Sequence, residues 1–186
     1  MAQPLKRVRD IIADYEHQHL ESIKKDLSVC KKIRDYVYGK TLNKHQQRHN
    51  NRFDNVVKAM SSFHIQKWRF TNFEHLYDVV RSVFLTQGHS GAYLTIYDTA
   101  LRIGYNHKEQ ILPNKFVYLY GNNTTGPLGG AIALYGQQWI DEHYDKDYKH
   151  RIKARWFADK FPNLPSWEIE SILCIYADKF TPNMQY

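Results

Sequence analysis

The stretch that decides the fold is GHSGAYLTIYDTALRIG, which runs from Gly88 to Gly104. Behind its leading glycines, apolar residues such as Tyr97 and Leu101 recur at the spacing of one helix face. Gly88 and Gly91 predict a tight turn at the front, because glycine adopts backbone conformations that other residues avoid. Gly104 is expected to follow the helix as its C′ residue. The stretch therefore predicts a turn followed by a helix with one buried side.

A second helix is predicted just before that turn. Thr71-Asn72-Phe73-Glu74 has the form of a capping box, and apolar residues follow it at helical spacing as far as Phe84. The sequence thus predicts two helices joined by the glycine-containing turn Gln87–Gly91. In this respect residues 73–104 resemble the helix-hairpin-helix DNA-binding element found in DNA glycosylases and other repair proteins.

The resemblance implies that the turn holds a nucleic-acid phosphate through Gly88, Ser90 and Gly91, together with the N-terminus of the second helix. The family turn usually has one apolar residue between its two glycines, whereas two residues separate them here. Family members that also cleave the backbone have a catalytic lysine early in the second helix. No lysine occurs between Arg69 and His107, so that chemistry is not expected. The alternative interpretation is an ordinary turn between two helices.

The same stretch contains the candidate catalytic residues, Asp98 and His89. Asp98 and Arg102 are four residues apart, so they lie on one helix face and can form an ion pair. One interpretation is a surface ion pair. The other is a carboxylate that a guanidinium holds beside a cleft. If the protein is an enzyme, Asp98 and His89 are the first residues to test.

The positive charge of the chain is concentrated near its N-terminus. The 186 residues have a formal net charge of +7 at pH 7. The segment from Lys24 to Lys58 contains ten basic residues but only three acidic residues. Such a cluster attracts polyanions through counterion release. A solvated helix face, or a face that docks an acidic protein, is the alternative. The predicted phosphate contacts are Lys31, Lys32, Arg34, Lys40, Lys44, Arg48 and Arg52.

Periodicity along the remaining chain favours a mainly α-helical protein. The run FVYLYG after Pro113 is short, aromatic and β-branched, which indicates either a strand or an extended buried segment. We expect one compact multi-helix domain over residues 1–186, with at most a small strand pair. Residues 1–60 would form a basic, helical N-terminal part and residues 61–186 the core. Further helices are predicted for residues 4–38, 42–60, 131–135, 137–160 and from 166 onward.

The sequence lacks the motifs that are typical of several other classes of protein. The chain has no apolar run of ~18 residues, and no apolar segment follows the basic start MAQPLKRVRD. We therefore expect no secretory leader and a cytoplasmic protein without a membrane partner. Cys30 and Cys174 are expected to be free thiols. Residues 121–130 are rich in glycine but lack the Gly-Lys-Ser/Thr end of a phosphate-binding P-loop. His45 and His49 have metal-ligand spacing, but basic residues surround them, so no metal or cofactor is expected.

The sequence therefore predicts a small basic protein that binds DNA or RNA, mainly through the phosphate backbone. Two alternatives remain open. One is an enzyme that acts on nucleic acid, either glycosylase-like or a nuclease, with Asp98 and His89 at its centre. The other is a subunit whose basic helices dock an acidic protein partner.

Overall fold

The computed structural model describes residues 7–40, 51–145, 150–182 and 184–186. These residues are mainly helical and include a single two-stranded antiparallel sheet, which confirms the predicted fold class. The chain divides into two compact units. Unit 1 comprises Met1–His19 and Pro113–Tyr186, and unit 2 comprises Leu20–Leu112. One domain over the whole chain stays a prediction.

Most elements of the described residues are helices. In chain order, the helices and strands are α1 (Val8–Tyr15), α2 (Glu21–Val29), α3 (Ile33–Tyr38), α4 (Asp54–Ser62), α5 (Phe73–Thr86), α6 (Tyr93–Asn106), β1 (Phe116–Tyr118), α7 (Gly126–Tyr135), α8 (Gln137–His143), β2 (Arg151–Lys153) and α9 (Ser166–Ile175). Short 3₁₀ turns, Asn51–Phe53, Ile65–Lys67 and Ala154–Phe157, precede α4, follow α4 and follow β2.

The predicted N-terminal helix is interrupted twice. A π-helical turn, Glu16–Leu20, separates α1 from α2. The backbone of Cys30 is extended, with φ −73° and ψ 109°, and it ends α2. The prediction of continuous helix is therefore wrong at this point. Gly39 ends α3 with φ 73°, as expected for a glycine at the end of a helix.

Unit 2 is built around α6, which packs against α2, α3 and α5. Ten of the fourteen residues of α6 are buried, so it is a core helix and not an amphipathic surface helix. Gly104 lies within its last turn, and the predicted helix end at this residue is wrong. A Cβ atom on Gly104 would collide with the carbonyl oxygen of Ile111. This glycine is therefore required by close packing.

The N-cap of α5 lies one residue beyond the predicted cap, Thr71. Asn72 is the N-cap, and its side-chain oxygen accepts a hydrogen bond from the His75 backbone N–H at 2.9 Å. Thr71 is exposed, with its hydroxyl oxygen 3.4 Å from the Nδ1 atom of His75. The predicted capping box is therefore wrong in its first residue, since asparagine caps a helix as well as threonine does.

The helix predicted for residues 42–60 is only partly visible, because residues 41–50 lie outside the described ranges. The 3₁₀ turn Asn51–Phe53 leads into α4, which continues two residues beyond the predicted end. Of the apolar residues at core spacing in this segment, Phe53, Val56 and Met60 are buried, whereas Val57 is only half-buried. This part of unit 2 places α4 against α3 and α5.

In unit 1, α7 packs against α9 and β1 pairs with β2. Gly130 allows the close approach of the two helices, because a Cβ atom there would overlap the backbone of Leu173. The predicted strand at β1 is confirmed, and Val117 lies opposite Ile152. The helix predicted for residues 137–160 is wrong beyond α8, since β2 follows within the same segment.

Candidate nucleic-acid interface

The basic residues predicted to contact phosphate lie on unit 2. Lys44 and Arg48 fall outside the described residues, as do His45 and His49. The other five form what we call the basic surface, and every one of them is exposed: Lys31, Lys32, Arg34, Lys40 and Arg52.

Arg34 links the two segments that form the basic surface. Its guanidinium donates to Asp54 at 2.8 Å and to the side-chain oxygen of Asn51 at 3.1 Å. The hydroxyl of Tyr38 donates to the same Asp54 oxygen and accepts from the Phe53 backbone N–H, each at 2.9 Å. The Tyr38 hydrogen bond, with Arg34, holds the pKa of Asp54 below its ordinary value. These contacts join α3 to the start of α4.

The other cations of the basic surface differ in their partners. Lys40 lies 3.4 Å from a carboxylate oxygen of Asp35, and Lys31 donates to the side-chain oxygen of Asn106 at 2.7 Å. Lys32 and Arg52 form no ion pair with any residue that the structure describes. Exposed ion pairs contribute only about 0–1 kcal/mol, so a phosphate can replace a carboxylate at this surface.

The net positive charge of the chain belongs entirely to unit 2. That unit has 15 lysines and arginines against 8 acids, whereas unit 1 has 11 of each. Burial increases the imbalance by one charge, because two acids, Asp26 and Asp98, but one base, Arg102, are buried in unit 2. In the described part of the unit, ten basic residues but three acidic residues are exposed. Its surface is therefore more positive than its composition indicates.

The predicted hairpin turn joins α5 to α6, and these helices pack against each other. The N–H groups of Gln87, Gly88 and His89 donate to carbonyl oxygens in the last turn of α5. Ser90 and Gly91 are exposed, and no described residue accepts from their N–H groups. The residue before α6 provides no side-chain cap. An anion would therefore meet Ser90, Gly91 and the first turn of α6, whereas the N–H of Gly88 is already bonded.

The two glycines of the turn have different roles. Gly88 has φ +81°, a left-handed conformation that favours glycine. Gly91 has an ordinary φ, and a Cβ atom there would meet nothing within 4 Å. The turn geometry therefore requires a glycine at residue 88 but accepts other residues at 91.

Asp98 and Arg102 form a buried pair. Their side chains are 6% and 3% exposed, and a carboxylate oxygen of Asp98 lies 3.8 Å from the guanidinium. Arg102 also donates to the carbonyl oxygen of Tyr36 at 2.9 Å. The interpretation as a surface ion pair is therefore wrong. The pair connects α6 to α3 inside unit 2.

His89, the other candidate catalytic residue, packs at the edge of α4. Its ring lies edge-on to that of Phe53, with the centroids 5.0 Å apart. Its Nε2 atom lies 3.1 Å from the side-chain oxygen of Asn55. These contacts fix the turn against the 51–55 segment.

Asp26 is a residue that sequence reasoning missed. It is 6% exposed, and neither of its carboxylate oxygens has a hydrogen-bond partner among the described residues. Burial raises the pKa of Asp26, and the positive charge of Arg102 partly opposes that rise. Its burial could have been predicted from its position three residues after Ile23 and one before Leu27, which places it on the apolar side of a helix.

The glycine-rich loop of unit 1 uses its polar groups internally. The side-chain oxygen of Asn122 accepts from the backbone N–H and the hydroxyl of both Thr124 and Thr125, at 2.9–3.0 Å. The helix α7 begins inside this loop, five residues earlier than predicted. Because Asn122 already binds these four donors, the loop does not resemble an open phosphate cradle.

No family model, curated protein or solved structure matches this chain. Across the described ranges, none of the helices is long and apolar enough to cross a bilayer. Within the same ranges, no group of three or more His, Cys, Asp and Glu side chains is placed to hold a metal ion. The fold and the site thus define a mainly helical protein whose surplus positive charge lies on unit 2.

Proposed function

We propose that the protein binds DNA or RNA through the basic surface of unit 2, mainly by contacts to phosphates. The observation that carries this proposal is the exposed imbalance of charge, ten basic against three acidic residues in the described part of the unit. Polyanions gain affinity from such a surface because their condensed counterions are released. Lys44 and Arg48 belong to the same segment of sequence and extend the proposed contact.

Binding of this kind depends on salt and only weakly on sequence. Each neutralised phosphate of a duplex contributes about −0.9 to the slope of log K against log salt, so five contacts give a slope of about −4 to −5. Contacts to phosphate fix the position of a protein but carry no sequence information. In the proposed function, the protein therefore coats or tethers nucleic acid and does not select a particular nucleotide sequence.

The turn between α5 and α6 is a further proposed contact. Ser90 and Gly91 expose N–H groups without an acceptor in the described residues, next to the uncapped N-terminus of α6. Backbone N–H groups and the positive end of a helix dipole both favour a bound phosphate. The similarity to the helix-hairpin-helix element supports this contact, with Gly88 shaping the turn.

The direct test compares two lysines in the two units. Lys32 and Lys179 are both exposed, and replacing either by alanine removes one charge. At ~0.1 M salt we expect Lys32→Ala to weaken binding to a labelled duplex about eightfold, as the loss of one phosphate contact requires. Lys179→Ala should change the affinity less than about twofold. Fluorescence anisotropy measures both, and equal losses would show that only net charge matters.

The alternatives from the sequence, an enzyme and a subunit that docks an acidic protein, stay predictions. A docking subunit would purify with a defined protein, whereas the proposed function predicts co-purifying nucleic acid. The ultraviolet absorbance ratio of the isolated protein, before and after nuclease treatment, separates the two.

A further inference from the structure

Unit 1 contains a cleft of about 360 Å³ beside the β1–β2 pair. Side chains from α8, the strands and the following 3₁₀ turn line it, among them His143, Lys153, Arg155 and Trp156. Its volume falls within the range of small-molecule sites, about 300–1,000 Å³. The cleft therefore has the size of a ligand pocket, and it is formed without any residue of the basic surface.

Two residues of the cleft lining, His143 and Trp156, belong to a longer series of aromatic rings. Tyr135 stacks on Trp139 with centroids 4.1 Å apart, and Trp139 stacks on His143 at 4.5 Å. His143 in turn meets Trp156 edge-on at 4.6 Å. The Nδ1 atom of His143 donates to the carbonyl oxygen of Trp139 at 2.8 Å, which fixes the imidazole ring. Trp156 ends the series and is 43% exposed, so a large aromatic surface remains open to a ligand.

The positive groups at this cleft are not neutralised by described residues. Lys153 and Arg155 are exposed and form no ion pair in the part of the chain that the structure describes. The guanidinium of Arg155 lies 5.1 Å from the ring centroid of Trp156. Asp145, by contrast, is already paired with Arg151 at 3.3 Å. The cleft thus combines an exposed indole with two cations that can receive an anion.

We propose that this cleft binds a nucleotide, with the base stacked on Trp156 and the phosphate at Lys153 and Arg155. Stacking on an aromatic side chain and contact with basic residues is how proteins bind unpaired nucleotides. Glu142 also lines the cleft, and its carboxylate can accept a hydrogen bond from a ribose hydroxyl or an exocyclic amine. A free nucleotide and a nucleotide in a single strand share this chemistry.

An organic cation is the competing ligand for an aromatic cleft with acidic residues. Arg155 already lies near the ring of Trp156, and Arg151 already pairs with Asp145. An added cation would displace or repel these groups, whereas a phosphate would be attracted to them. The inference does not rest on the function proposed for the basic surface. The residues of the cleft belong to unit 1, in which acidic and basic residues are equal in number.

Titration calorimetry with adenosine monophosphate and with a short single-stranded oligoadenylate tests the inference. We expect at least one of them to bind with a dissociation constant below about 1 mM. Because the basic surface can also hold an oligoadenylate, binding of that probe counts for the cleft only where Trp156→Ala weakens it. Such binding without binding of the mononucleotide identifies a single strand as the source, and binding of the mononucleotide identifies a free nucleotide. Adenosine and inorganic phosphate should each bind more weakly, since each lacks one half of the proposed contacts.

Variants assign the binding to the cleft. Trp156→Ala and Arg155→Gln should each weaken binding at least about fivefold, and Trp156→Phe should weaken it less than Trp156→Ala. Trp68→Ala is the matched control, because Trp68 is also 43% exposed but lies in unit 2. Lys32→Ala should leave mononucleotide binding unchanged. Arg155 is exposed, so its variant tests the contact without disturbing the fold.

Three results would overturn the inference. The first is the absence of binding by both nucleotide probes. The second is unchanged affinity in both Trp156→Ala and Arg155→Gln, or an equal loss in Trp68→Ala. The third is binding of tetramethylammonium with no binding of either nucleotide probe, which would identify a cation site. If Lys32→Ala weakens duplex binding as expected and none of these three results is found, the two proposals are supported independently of each other.

Discussion

Replacement of Arg102 by methionine tests how unit 2 is held together. The side chain of Arg102 is 3% exposed, and its guanidinium lies 3.8 Å from the Asp98 carboxylate and donates to the Tyr36 carbonyl oxygen at 2.9 Å. Methionine fills a similar volume but has neither the charge nor the donors. Arg102→Met therefore leaves a buried carboxylate without its guanidinium and removes one link between α6 and α3.

The expected loss is large because the partner stays buried. Removing one member of a buried ion pair costs about 3–5 kcal/mol, in contrast to about 0–1 kcal/mol for an exposed pair. Urea denaturation followed by circular dichroism measures the free energy of unfolding. Arg69→Met is the matched control, since Arg69 is exposed, and it should change that free energy by less than about 0.5 kcal/mol.

The loss of stability in Arg102→Met should depend on pH, and the direction of that dependence follows from the pKa of Asp26. Burial raises the pKa of Asp26, and the charge of Arg102 opposes the rise, so the pKa rises further in Arg102→Met. An acid with a raised pKa in the folded state stabilises the fold most at low pH and loses that contribution as pH rises. The difference in the free energy of unfolding between the natural protein and the variant should therefore be largest at neutral pH and become smaller toward about pH 4.

Two results would refute this reasoning. A loss below about 1 kcal/mol at neutral pH would mean that the pair contributes no more than an exposed one. A deficit that stays constant between neutral and acid pH would mean that the guanidinium does not act on a buried carboxylate. As a further check, Asp98→Asn combined with Arg102→Met should recover part of the stability, because no uncompensated charge remains at Asp98.

The remaining predictions concern single sites. Asp26→Asn should raise the free energy of unfolding at neutral pH and weaken its dependence on pH, because the charged form is the one that burial disfavours; a less stable variant at neutral pH would contradict this. Gly104→Ala should lower stability by about 1–3 kcal/mol, since the new methyl group collides with Ile111. Gly91→Ala, where space is open, should stay within about 0.5 kcal/mol of the natural protein in the same denaturation assay.

The helices of unit 2 show what the sequence predicts well. The apolar repeat of α5 and α6 extends over several turns, so both helices follow from periodicity, and the turn between them follows from its glycines. The exposure of the basic surface is also predictable, because lysine and arginine are seldom buried. These features depend on local sequence and on the cost of desolvating a charge.

The features that the sequence did not predict depend on tertiary packing. The strand β2 has three residues and pairs with a strand about 35 positions away in the chain, so no local period indicates it. The spacing of Asp98 and Arg102 predicted a pair but not its depth, which follows from the central position of α6. The burial of Asp26 has the same origin, since it depends on which helices cover α2.

The salt dependence of duplex binding is the most direct test of the proposed basic surface. Anisotropy titrations at several salt concentrations should give a slope of log K against log salt of about −4 to −5 for the natural protein. The double variant Lys32→Ala/Arg52→Ala should reduce the magnitude of that slope by about 2, as the loss of two phosphate contacts requires. A flat slope for the natural protein, or an unchanged slope in the double variant, would contradict the proposed role of this surface.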